Sequence, residues 1–520
     1  MVFPEKFCWG VSLSGFQFEM GDSKNYNIDP NTDWYSWVHN PENVKKGFVS
    51  GDLPENGVGY WDLYKKDHEI AANLGLNAFR IGIEWSRIFP EDTTNINDIG
   101  IERSSDGKIA EIEIEESSME KLELAANKNA VRHYRNIIND LISKGFKVFI
   151  CLNHFTLPLW LHDPIKVYYK IEKKQIGWLN DRTIIEYTKY ASYMAWKFGD
   201  IIDKWITINE PMIVSEMGYL VYFKDQKRFP PSLKNFSSSI KAVLNMIIAH
   251  SRAYDAIKRW DSIKGDEHSD SSADIGLIQH VMPVTPLNNR RKSDVNISEF
   301  IDRVHNHLFI EALHKGWLDE NLNGEKEKGE NKSYLRNRLD FIGLNYYTRI
   351  VVKGKLPFFT KLFLNIPAIP ELVYGYGLNC QPMSKSLDGL PTSDYGWEIY
   401  PNGINKVLTA MSKYRLPLYI MENGIADAND NVRPSFLIDH LKVIEKTLDE
   451  NSIDLRGYFH WSLLDNYEWA EGYNKKFGLF AVDMETKKRI ARRSALIYKK
   501  IIDKASVTED IIKDAKLKHD

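Results

Sequence analysis

Short apolar runs recur at wide intervals along the chain, and each leads into polar or aromatic residues. They fall at 7–12, 78–83, 146–152, 205–209, 275–281, 341–345, 418–421 and 458–461. Runs this short, rich in β-branched and aromatic residues, predict buried strands rather than helices. Between them lie stretches with helical spacing of apolar positions, among them 60–74, 128–144, 183–198, 239–259 and 434–448. Eight strands alternating with helices predict an α/β fold, a closed (β/α)8 TIM barrel. A doubly wound open sheet is the alternative. No G-x-G-x-x-G follows the first strand, which counts against its dinucleotide-binding form. Residues 1–520 are expected to form one barrel with long loop insertions, since a single barrel can carry this much chain.

The surplus length lies in polar segments. Residues 92–128 carry the acidic run Glu111-Ile112-Glu113-Ile114-Glu115-Glu116, and 261–274 and 319–333 are charged or rich in Ser and Gly. Each reads as a surface loop. Segment 355–378 differs, being apolar, aromatic and interrupted by proline. It is expected to cover one rim of the barrel.

Composition narrows the picture. The net charge is −3, so no basic field exists to draw nucleic acid. With 14 Trp, 26 Tyr and 24 Phe the chain can build a large core, or platforms on which flat sugar faces stack. Cys8, Cys151 and Cys380 are odd in number and far apart, which predicts no disulfide framework and a reducing compartment. No Cys/His spacing suggests zinc, no apolar stretch is long enough to span a membrane, and the first residues lack the pattern of a signal peptide. The cytoplasm is the expected location.

Active sites of β/α barrels lie where the strands end. One strand closes as Ile208-Asn209-Glu210-Pro211 and another as Met421-Glu422-Asn423-Gly424. Glu210 has a plain alternative as a helix start, with Pro211 in the first position. Glu422 has one as part of an Asn-Gly turn. Taken together, two carboxylates at strand ends suit glycoside cleavage, in which one group attacks the anomeric carbon and the other shuttles a proton. Arg80 and Tyr347 are candidates for keeping Glu422 anionic. Their alternatives are a structural ion pair and a core tyrosine.

Several further stretches carry a resemblance. They are Gln17-Phe18-Glu19-Met20-Gly21, Asp33-Trp34-Tyr35-Ser36-Trp37-Val38-His39, Glu84-Trp85-Ser86-Arg87-Ile88-Phe89-Pro90 and Trp160-Leu161-His162-Asp163-Pro164. Later come Asn345-Tyr346-Tyr347-Thr348-Arg349 and His460-Trp461-Ser462-Leu463-Leu464-Asp465-Asn466-Tyr467-Glu468-Trp469. In this order, with the two glutamate motifs, the chain resembles glycoside hydrolase family 1, in its archaeal β-glycosidase branch, from near Phe3 to near Asp510. The resemblance implies a (β/α)8 barrel, hydrolysis of β-glucosides and β-galactosides with retention, and no cofactor or metal. It implies Glu210 as acid/base, Glu422 as nucleophile, and Arg80 and Tyr347 around the nucleophile. It implies a sugar subsite of Gln17, His154, Asn209, Glu468, Trp461 and Trp469. Its small-molecule partner is a β-glycoside or oligosaccharide, with neither nucleic acid nor membrane, and a homo-oligomer such as a tetramer is implied as well.

The family also contains 6-phospho-β-glycosidases, which hold phosphate with a Ser, a Lys and a Tyr near the last strand. Lys475 falls at the Lys, but Phe477 stands at the Tyr and Glu468 puts a carboxylate where a phosphate would sit. Like charges in a dry pocket repel strongly, so unphosphorylated sugars are expected. A non-catalytic sugar-binding barrel would lack one of the glutamates. A metal-dependent hydrolase would show a His/Asp ligand set at strand ends, and none is evident.

Overall fold

The computed structural model describes residues 2–21, 27–171, 173–220, 227–265, 271–355 and 368–516. Eight parallel strands close into a barrel. They are β1 (Cys8–Ser12), β2 (Ala78–Gly82), β3 (Lys147–Asn153), β4 (Lys204–Asn209), β5 (Asp274–His280), β6 (Phe341–Asn345), β7 (Leu418–Asn423) and β8 (Leu455–His460). Each strand pairs with its neighbours in sequence, and β8 returns to β1. The helices that follow are α1 (Tyr60–Asn73), α2 (Lys128–Ser143), α3 (Asp181–Phe198), α4 (Phe236–Trp260), α5 (Lys292–Ile301), α6 (Asn402–Ser412), α7 (Arg433–Glu450) and α8 (Arg493–Lys504). Three of them start where an asparagine caps the first turn: Asn127, Asn180 and Asn235 each accept from main-chain N–H groups just ahead.

All eight expected strands are present. The largest change is at the last one, which begins three residues earlier than its apolar run and leaves Trp461 just beyond its end. Polar and small residues at Arg456 and Gly457 hid its start. The barrel interior is filled by side chains that include Phe149, Phe341, Tyr419 and Phe459. The Phe149 ring centroid lies 5.2 Å from that of Phe459 and 5.3 Å from that of Tyr419. Gly10 makes room for this plug, because a Cβ there would lie 2.4 Å from the Phe459 ring. The floor is therefore closed, and polar side chains gather above it at the strand ends.

The insertion at 92–128 is not a plain surface loop. Ile99–Arg103 and Ile109–Ile114 form an antiparallel hairpin, followed by a helix at Glu116–Ala125. The acidic run alternates with period two. Ile112 and Ile114 are buried while Glu111, Glu113 and Glu115 face water. Of the expected rim-covering segment 355–378, residues 356–367 lie outside the described residues. Beyond them Ile369–Leu372 pairs with Ile350–Lys355, which also pairs with Val284–Pro286, and this small sheet packs on Ile297 of α5. Cys8, Cys151 and Cys380 are free thiols. Among the described residues no helix is long and apolar enough to cross a membrane.

Candidate active site

Arg80 comes from the middle of β2 and is fully buried. Its Nη1 donates to Glu422 Oε1 at 2.5 Å. Its Nη2 faces Asn209 Oδ1 and His154 Nδ1, both at 2.9 Å. One guanidinium thus ties β2 to the ends of β3, β4 and β7. The other oxygen of Glu422 accepts from Tyr347 Oη at 2.7 Å. Both oxygens of Glu422 are therefore held, one by a full cation and one by a phenol. Asn423 is not in a turn. It ends β7, donates to the Tyr346 carbonyl and accepts from Tyr458 Oη.

Glu210 follows β4 directly. Its backbone is left-handed, with φ 48° and ψ 55°, a region that few non-glycine residues adopt. This residue bends the chain from the strand into the helix Pro211–Ser215, with Pro211 in the first turn. The helix-start reading and the site reading both hold. The Glu210 side chain makes no capping bond and stays free for the site. Asn345, the last residue of β6, donates to Glu210 Oε1 at 2.6 Å. In the β6–β7 ladder Asn345 is also the partner of Glu422. Asn345 thus lies beside Glu422 in the sheet while its amide serves Glu210. Burial raises the Glu210 carboxyl above its usual range, and the charge of Glu422 raises it further, against smaller opposing effects from Asn345 and Arg80.

His154 stands just past β3, neutral because burial and the Arg80 charge push it well below its usual value. Its ring lies near-parallel to those of Trp461 and Trp469, with centroids 5.9 and 5.8 Å away. Trp469 is backed on its own side by Phe16, at 5.8 Å and 6°. Gln17 donates to Glu468 Oε2 at 3.4 Å and to Asn466 Oδ1 at 3.1 Å, and its own oxygen accepts from Ser14. All ten residues expected from the sequence thus share one mouth of the barrel.

Two expectations change in detail. Burial, and then the charge of Glu422, push the Glu468 carboxyl up to about 8. Near neutral pH it is largely the uncharged acid, so a standing carboxylate is not what faces the sugar. Lys475 is engaged elsewhere: its ammonium donates to the Asp394 carbonyl at 2.8 Å and lies 5.0 Å from the Tyr395 ring centroid. Phe477 sits in an aromatic wall with Tyr347, Tyr395 and Trp397.

Sequence reasoning quoted Asn345 within a motif but gave it no role, although it ends a strand as Asn209 does. It also passed over His280, the last residue of β5, whose ring lies 6.2 Å from Tyr347 at 26°. The strand-end position was the signal available for both. Among the described residues no group of His, Cys, Asp and Glu has the arrangement to hold a metal ion.

This geometry agrees with what the chain is similar to. A β-galactosidase of Pyrococcus woesei is 47% identical over 98% of this chain and 99% of its own length. The crystal structure of a β-glycosidase from Thermosphaera aggregans superposes with a TM-score of 0.88, at 38% identity and full coverage of both chains. A β-glucosidase variant derived from a hyperthermophilic tetrameric structure gives a TM-score of 0.86 at 38% identity, covering 100% of this chain and 99% of that one. The sequence profile of glycosyl hydrolase family 1 matches residues 1–105 and 123–507, passing over the second strand of the hairpin and the start of the helix after it. On that match and those relatives, the chain belongs to glycosyl hydrolase family 1 and is a glycoside hydrolase.

Proposed function

We propose that the protein is a retaining exo-β-glycosidase for unphosphorylated β-D-glucosides and β-D-galactosides, with Glu422 as nucleophile and Glu210 as acid/base. In this reading residues 1–520 make one catalytic domain. The observation that carries it is the unequal setting of the two carboxylates. Glu422 receives a guanidinium and a phenol, whereas Glu210 receives one neutral amide and is driven towards its acid form. Environments that push two carboxyls apart assign nucleophile and acid.

The first step follows. Glu422 attacks the anomeric carbon while Glu210 passes its proton to the departing oxygen, leaving a glycosyl ester on Glu422. That ester carries no charge, so the repulsion that raised Glu210 is gone. Glu210, now anionic, is suited to take a proton from the water that attacks the ester, and the product leaves as the β-anomer.

The sugar subsite follows from fixed donors. Arg80 can only donate, so His154 Nδ1 must accept, and the proton of this neutral ring sits on Nε2. Asn209 Nδ2 lies 3.3 Å from that nitrogen. Both are donors, so each is free to meet a sugar oxygen. Asn209 Oδ1 is taken by Arg80, which turns its NH2 towards the 2-hydroxyl. The Gln17–Glu468 pair offers a donor and an adaptable acid to the distal hydroxyls, and it can serve either epimer at O4. Relatives named as β-galactosidase, β-glucosidase and β-glycosidase support that breadth. Exclusion of a 6-phosphate rests on missing partners, since Lys475 is committed and Phe477 has no hydroxyl. A cytoplasmic homo-oligomer completes the reading, supported by the free thiols and by the tetrameric origin of one relative.

The test is Glu422→Gly assayed with and without azide. Loss of hydrolysis, with an α-glycosyl azide formed on addition of the nucleophile, is the expected result. Normal turnover by this variant without azide overturns the assignment.

A further inference from the structure

One set of polar side chains at the barrel mouth has no part in the reaction described above. His280 ends β5, next to the strand that carries Glu210. Its ladder partner is Asn345, the residue that donates to Glu210. Its Nδ1 lies 3.3 Å from His305 Nε2, and His305 Nδ1 lies 2.8 Å from Glu216 Oε1. His305 is buried, and Gln279 donates to its carbonyl. Glu216 and His305 each sit in a π-helical turn, at Glu216–Leu220 and Asp302–His307. Such turns are rare and often occur at functional sites.

The protons in this set can be placed. Burial disfavours charge on His305, but Glu216, helped by Asp302, outweighs it and raises the ring above its usual value. In its charged form, which Glu216 favours, His305 gives Nδ1–H to Glu216 and turns Nε2–H towards His280. Burial and the His305 charge hold His280 neutral, pushed down to about 3. A neutral ring whose Nδ1 faces an N–H donor must carry its own proton on Nε2.

The location indicates what Nε2–H meets. The residues assigned to the sugar come from the ends of β1, β3, β4 and β8, which supply Gln17, His154, Asn209 and the segment of Trp461, Glu468 and Trp469, and all but Asn209 lie away from β5. In the closed order of strands β5 lies opposite β1. His280 therefore belongs to the other half of the mouth, beside the acid/base, where the departing group must lie if Glu210 is to protonate its oxygen. The Tyr347 ring lies near-parallel alongside the imidazole, and the residue is half-buried.

We propose that Glu216 and His305 are positioning residues that fix the tautomer of His280, and that His280 Nε2–H binds a hydroxyl or ether oxygen of the leaving group, favouring sugars over plain aryl groups. This rests on Glu210 and Glu422 being the catalytic pair.

Cellobiose and phenyl β-glucoside share a sugar but differ in the leaving group, so they separate the two claims. His280→Phe should lower kcat/KM for cellobiose about tenfold and leave phenyl β-glucoside within about twofold, the worth of one neutral hydrogen bond. Glu216→Gln should lower the same ratio about threefold, because a mixed tautomer population keeps part of the donor. An unchanged ratio in His280→Phe overturns the proposal, as does an equal fall on both substrates. A ratio that changes in His280→Phe but not in Glu216→Gln overturns the positioning role. Should either variant melt at assay temperature, 15N-histidine labelling of the unaltered protein decides the matter. The His280 resonances should be those of a neutral ring protonated at Nε2, and protonation at Nδ1 overturns the proposal. No turnover of phenyl β-glucoside by the unaltered protein would instead refute the catalytic pair, and the tautomer measurement would still judge the relay.

Discussion

Replacing Asn345 by alanine removes the hydrogen bond that its amide gives to Glu210 Oε1 at 2.6 Å. That bond favours the charged form of Glu210 and works against burial and the Glu422 charge. Without it the acid form gains, and Glu210 must lose its proton at a higher pH. A hydrogen bond to a charged group contributes about 1.5–3 kcal/mol and one pH unit corresponds to about 1.4 kcal/mol, so the upper bound is a rise of about 1–2 units. Asn345 is fully buried, and its loss opens space for a water that restores part of the donation. A rise of about 1 unit is therefore expected. The assay is the pH profile of kcat/KM for an aryl β-glucoside with a poor leaving group, whose alkaline limb reports the acid in the free enzyme. The limb should move up in Asn345→Ala while the acid limb moves less. An alkaline limb that stays in place or moves down refutes Glu210 as the proton donor, or Asn345 as its partner. A thermal melt of the variant checks that the barrel is intact.

Three other outcomes follow from the same contacts. Glu210→Gln should slow glycosides of basic leaving groups by about a hundredfold or more while activated aryl glycosides lose much less in the glycosylation step, measured by pre-steady-state bursts; equal losses would speak against an acid role. Glu84 links the loop of Gln17 to that of His154, accepting from Phe16 N and Thr156 Oγ1, and burial and then the Glu19 charge push it from 4.5 up to about 8. The folded state thus holds a proton that the unfolded chain releases, so this group's contribution to stability is full below about pH 4.5 and is lost as pH rises through about 8; Glu84→Gln should flatten the fall of Tm across that window, and an unchanged slope would show that the shift is absent. Gly424→Ala would place a Cβ 1.9 Å from the Trp461 carbonyl. It should cost about 3 kcal/mol or more in chemical denaturation and weaken sugar binding, whereas a variant of unaltered stability would contradict this close approach of β7 to the Trp461 loop.

The local pattern of apolar residues determined much of this protein. A buried strand must be apolar on both faces, so runs such as 341–345 and 418–421 mark barrel strands whatever surrounds them. The chemistry of such barrels sits at strand ends, so Glu210 and Glu422 were legible as carboxylates directly after the runs 205–209 and 418–421. A different signal, alternation with period two, was present at 111–116, where isoleucine and glutamate alternate along the second strand of a hairpin. There it was masked by charge, which looks like a solvated loop when counted by composition. Tertiary structure alone decided the partnerships. Arg80 and Glu422 are 342 positions apart, and only barrel closure sets β2 where its guanidinium can reach β7, His154 and Asn209 together. Asn345 came to lie beside Glu422 and within reach of Glu210 through the register of β6, which no local pattern encodes. The acid form of Glu468 and the neutral state of His280 depend on how much water the assembled barrel excludes and on which charges converge within it. Desolvation and Coulomb interactions act through space, so the sequence names the groups while the fold sets their protons.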